Sequence, residues 1–145
     1  MILFLRKYVG VLFFPIAWTV IVAVLCCLPG SMLPDEGGFK IPQFDKLVHM
    51  GMFGGFAFLW NLYLSNKISD TMRLLRLFFL LFILANAYGV GTELVQKCCI
   101  PMRDYDEADI IADMVGAGIA YGLSNIFLLP KKQSQSVSKK LRPGR

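Results

Sequence analysis

VGVLFFPIAWTVIVAVLCCL, residues 9–28, carries no charge along its whole length. A helix needs about 20 residues to cross the hydrocarbon core of a bilayer, so this run is long enough to span one. Three more runs follow. Residues 47–64 contain His49 as their one ionisable group, and residues 110–129 are interrupted near the start by Asp113. Residues 77–92 are short and must borrow Glu93 and its neighbours to span. None alternates with the period of two that a transmembrane barrel strand requires. The reading is all-α: an antiparallel bundle of four transmembrane helices over residues 1–129, followed by a basic, disordered tail over 130–145. Pro15 is expected to kink the first helix.

Composition agrees. Of 145 residues 56% are hydrophobic and only 17% charged, against about 25% charged in soluble domains, and mean hydropathy is +0.58. An ordinary soluble enzyme and a disordered chain are both excluded. The net charge of +5 does not point to nucleic acid, because the basic residues flank apolar runs and line no groove. The first run exceeds a signal-peptide core and lacks a small-x-small cleavage site, so it reads as a retained helix.

Basic residues also set the expected orientation. Arg6, Lys7, Lys67, Arg73, Arg76 and six tail residues place eleven of the fifteen on one side. Lys40, Lys46, Lys97 and Arg103 fall on the other. The positive-inside rule then puts both termini in the cytoplasm, with residues 30–46 and 97–109 outside. Asp70 is the single acid expected inside. The pairs Gly51/Gly55, Ala112/Gly116 and Gly118/Gly122 suit close helix packing, or a homo-oligomer face.

Three polar clusters fall at one membrane depth. Asp45, Lys46 and His49 open the second helix, Glu93 and Gln96 close the third, and Arg103, Asp106, Asp109 and Asp113 lead into the fourth. Singly, each has an ordinary role: Asp45 and Asp106 as N-caps, Asp109 in a first turn, Lys46 and Arg103 reaching for headgroups. Together, acids placed inside spans at a cost argue for a shared polar pocket. His49 and Glu93 are the candidate general bases, and Lys46 and Arg103 the candidate anion clamp, with Arg103 expected to pair with a carboxylate. His49, Glu93, Asp109 and Asp113 offer nitrogen and oxygen to a divalent metal, but no tight metal spacing accompanies them, so neither metal nor cofactor is expected. Cys26, Cys27, Cys98 and Cys99 reach the same side. One interhelical disulfide is open to them, although small apolar packing is the simpler role.

The order DKLVH, then ELVQ, then an arginine followed by spaced acids and a glycine-containing helix resembles the VanZ-like membrane proteins of bacteria over residues 10–129. The resemblance marks Asp45, Lys46, His49, Glu93, Gln96, Arg103, Asp106, Asp109 and Gly116, while the family commonly has Asn where this chain has Asp113. It implies a multi-pass protein of the bacterial cytoplasmic membrane with a cell-envelope role, in a family associated with resistance to glycopeptide antibiotics, notably teicoplanin. The expected function is an outer-face pocket for an anionic lipid headgroup, a lipid-linked wall precursor or a lipoglycopeptide. The alternatives are an enzyme acting on a phosphate-bearing lipid and a small transporter.

Overall fold

The computed structural model describes residues 11–29, 44–103 and 105–130. These residues form four helices and no strand: α1 (Phe13–Cys26), α2 (Phe44–Lys67), α3 (Thr71–Cys99) and α4 (Glu107–Phe127). The basic tail from residue 131, the residues before 11 and the 30–43 segment lie outside the described residues, and so do Arg6, Lys7 and Lys40.

Three of the helices, α2, α3 and α4, are long and apolar enough to cross a membrane. The shortest of them has 21 residues, which at 1.5 Å per residue is about 30 Å, the thickness of a hydrocarbon core. The described part of α1 is shorter, at 14 residues. The third run, expected to be short, belongs to the longest helix: α3 has 29 residues and continues through Glu93 and Gln96. Pro15 does not interrupt α1. It stands in the first turn, where a missing N–H costs no intrahelical bond.

Helix ends follow local chemistry. Asp70 caps α3 by accepting from the Arg73 backbone N–H at 2.6 Å, and Asp106 caps α4 by accepting from that of Ala108 at 2.8 Å. Asp45 in the first turn of α2 and Lys67 in its last match the helix dipole.

Cross-helix pairs fix direction. Lys46 meets Asp109, His49 meets Asp113 and Asn61 meets Ser124, a nearly constant offset in sequence, so α2 and α4 run parallel. Helix α3 lies antiparallel to both, its Glu93 reaching Asp106. Helix α1 runs beside α3, since the Tyr88 hydroxyl donates to the Thr19 carbonyl and Gln96 Nε2 to that of Cys26.

Glycine lets α2 and α4 touch through their backbones. A Cβ on Gly116 would stand 2.1 Å from the Met50 carbonyl oxygen, and one on Gly54 would stand 3.1 Å from that of Gly116. The Trp18 indole lies on Gly55 and donates to the Met52 carbonyl at 2.9 Å. Of the expected small-residue faces, Gly55 and Ala112/Gly116 pack, whereas Gly51 and Gly122 face open space.

Burial is inverted relative to a water-soluble bundle. Phe79, Leu80, Ile83, Ile111, Ile119 and Ile126 are exposed, while His49, Asn61, Glu93, Gln96, Asp113 and Ser124 are buried. An apolar exterior around a polar interior is stable in lipid and would aggregate in water. The protein is a membrane protein.

Candidate functional site

The buried polar groups gather at the end where α2 and α4 begin and α3 stops. Two consecutive turns of α2 supply Lys46 and His49, and the matching turns of α4 supply Asp109 and Asp113. Close approach at Gly116 holds these turns level.

Lys46 is the hub. Its Nζ donates to Asp45 Oδ2 at 3.2 Å, to Asp109 Oδ1 at 2.6 Å, and to Asp106 Oδ2. All three ammonium hydrogens are thus engaged. The ammonium, and then the Ala108 N–H, hold the Asp106 carboxyl below its ordinary value.

One turn deeper, His49 Nδ1 lies 3.1 Å from Asp113 Oδ1, and its Nε2 lies 3.7 Å from Asp109 Oδ2. The first is a hydrogen bond and the second is too long to be one. With Asp113 as acceptor, Nδ1 carries the hydrogen, and Nε2 is turned toward Asp109. Gly89 on α3 makes room for Asp113, since a Cβ there would come within 2.6 Å of Asp113 Oδ2. That glycine was not singled out from sequence. Its signal is visible only once the α3–α4 register is known.

Glu93 is fully buried and accepts the Asp106 backbone N–H through Oε2 at 3.1 Å. Its Oε1 and Asp113 Oδ2 are buried without a hydrogen-bond partner. Glu93 thus reaches the start of α4 at Asp106, and His49 faces Asp109. Gln96 is buried at the same end, but binds the Cys26 carbonyl and braces α1. Arg103 departs from expectation. It forms no ion pair with a carboxylate among the described residues, and its Nε is buried without a partner. Lys46, rising from within α2, pairs with Asp106 and Asp109 instead. The four cysteines are free thiols, so no disulfide joins α1 to α3.

Carboxylates outnumber cations here. Asp45, Glu93, Asp106, Asp109 and Asp113 surround one ammonium and one imidazole. Starting at Leu47, next in sequence to Lys46, an open apolar groove of about 400 Å³ runs between α2 and α4, lined by Leu47, Met50, Gly51, Gly54, Gly116 and Ile119 among others. Its size falls within the roughly 300–1,000 Å³ of small-molecule sites.

A second polar layer lies deeper. Asn61 Nδ2 donates to Ser124 Oγ at 3.0 Å, and both residues are buried. Between the layers Phe53, Phe56 and Tyr88 pack ring against ring, with centroids 5.4 and 5.5 Å apart across Tyr88. No family model, curated protein or solved structure matches the chain.

Proposed function

We propose that this is a VanZ-like multi-pass protein of the bacterial cytoplasmic membrane, with a cell-envelope role and an amphiphile-binding site at its outer face. In this reading four helices cross the bilayer, both termini are cytoplasmic, and the Lys46–His49–Asp109 cluster looks outward. The split of basic residues supports that orientation. The observation that carries the binding role is the adjacency of a polar cluster and a glycine-floored apolar groove, the two halves an amphiphile needs. The headgroup sits on the cluster and the chain lies along α2 and α4.

Charge selects the headgroup. Because Lys46 is saturated by three carboxylates and acids are in excess, a purely anionic headgroup meets repulsion. An amine-bearing or zwitterionic amphiphile fits better, whether a membrane lipid, a lipid-linked wall precursor or a lipoglycopeptide drug. Native mass spectrometry of the protein released from detergent tests this. Phosphatidylethanolamine should be retained in preference to phosphatidylglycerol, and equal or reversed retention would reject the headgroup assignment.

A lipid-hydrolysing enzyme is a second reading, favoured by one feature: the Asp113–His49 pair is arranged as a carboxylate-oriented general base. Product formation in the same lipid mixtures distinguishes turnover from binding. Transport is disfavoured by the aromatic layer of Phe53, Phe56 and Tyr88, which separates the two polar levels.

A further inference from the structure

We propose that Asp45, His49 and Asp109 form a binding site for a divalent transition-metal ion, with Asp113 orienting the imidazole. One potential ligand atom from each of the three residues lies within 4.8 Å of the other two. Ligands about 2.1 Å from a tetrahedral ion stand about 3.4 Å apart, so closing the site needs a movement of up to about 1.4 Å. Side-chain rotation at Asp45, which is exposed, supplies it.

Three features beyond proximity point to an ion. The first is the orientation of the histidine. Asp113 lies 3.1 Å from Nδ1, which turns Nε2 toward the Asp109 carboxylate at 3.7 Å, too far for a hydrogen bond. A carboxylate behind a ligating imidazole is also the usual second support of a metal-bound histidine. The second is division of labour on Asp109: Oδ1 serves Lys46 while Oδ2 faces His49. An ion on Oδ2 leaves Lys46 in place on Oδ1 and on Asp106. The third is the charge deficit. Glu93 is fully buried with Oε1 unpartnered, and Asp109 and Asp113 are buried beside it. Buried carboxylates without matching cations are costly, and a doubly charged ion supplies what Lys46 alone does not.

The donor set names the class of ion. One imidazole nitrogen and two carboxylates suit Mn²⁺ or Zn²⁺, whereas Mg²⁺ and Ca²⁺ prefer oxygen alone. The site draws on the same carboxylates as the proposed headgroup but needs neither lipid nor the family resemblance.

His49 is the chain's one histidine, which makes the test direct. Untagged full-length protein is stripped with chelator in a neutral detergent without lipid, then titrated with Mn²⁺ under electron paramagnetic resonance. The expected result is one tightly held Mn²⁺ per chain, displaced by Zn²⁺ and not by equimolar Mg²⁺, with hyperfine coupling to a single imidazole nitrogen. Asp45→Asn should weaken binding about tenfold or more with helicity unchanged, and His49→Gln should remove the nitrogen coupling. If His49→Gln does not fold, the wild-type coupling and Asp45→Asn decide the matter. Absence of bound Mn²⁺, bound Mn²⁺ without nitrogen coupling, or binding indifferent to Asp45→Asn overturns the site. With no lipid present, such a failure leaves the amphiphile reading untouched.

Discussion

His49 and Asp113 lie 64 residues apart in sequence and meet at 3.1 Å inside the bundle, both almost fully buried. The pair ties α2 to α4 where neither residue has water to fall back on. Each partner therefore carries a desolvation cost that the other offsets.

Replacing that carboxylate separates its geometry from its charge. Asn at 113 keeps a carbonyl oxygen to accept from Nδ1, so Asp113→Asn should leave folding near wild type. Asp113→Leu should destabilise by about 1–3 kcal/mol, the penalty of an unsatisfied buried donor. Thermal unfolding in detergent compares the two. Equal losses would show that the hydrogen bond does not hold the helices.

The hub should respond in a similar way. Lys46→Met leaves Asp109 buried without its cation and should cost about 1–3 kcal/mol. Arg103→Ala, which breaks no ion pair with a described residue, should cost less. Parallel unfolding curves check the order, and a larger loss for Arg103→Ala would return the anchoring role to arginine.

Acid sensitivity follows from Asp106, whose carboxyl is held by Lys46 below the ordinary value of about 3.9. A depressed folded value means the contribution is complete above the unfolded pKa and fades as pH falls through the folded one. Asp106→Asn should flatten that acid limb of stability against pH while leaving the neutral region less changed. An unaltered acid limb would remove Asp106 as its source.

The helix crossing gives a steric test. A methyl at Gly116 would collide with the Met50 carbonyl, so Gly116→Ala should cost roughly 1–3 kcal/mol through forced separation of α2 and α4. Gly122, which faces open space, should accept Ala within about 0.5 kcal/mol. Expression level and unfolding temperature report both, and the reverse order would contradict the crossing.

Several of these features were readable in the sequence and several were not, for physical reasons. Apolar runs of near-bilayer length announce helices directly, and acids such as Glu93 and Asp113 at or inside them announce a polar interior. The capping role of Asp106 was legible because N-cap chemistry is local. Register between helices is not local. Nothing near Lys46 in the chain says that Asp109 stands opposite it, so Arg103, next to the acids in sequence, looked the better partner. Pro15 was misplaced because apolar length alone does not mark where a helix begins. Gly89 and Gly54 matter only through what faces them from another helix.

The groove beside the cluster is where the functional account is most exposed to test. A phosphatidylethanolamine carrying a photoreactive group mid-chain, incorporated with the protein into nanodiscs and irradiated, would report where an acyl chain rests. Peptide mapping should find the label concentrated on Leu47, Met50 and Ile119. Gly51→Leu, which fills the groove from a position with open space around it, should abolish that labelling without loss of fold. Label spread evenly over Phe79, Leu80 and Ile83 on the outer face of α3, and unchanged in Gly51→Leu, would mean that the groove holds only bulk lipid and that the amphiphile site does not exist.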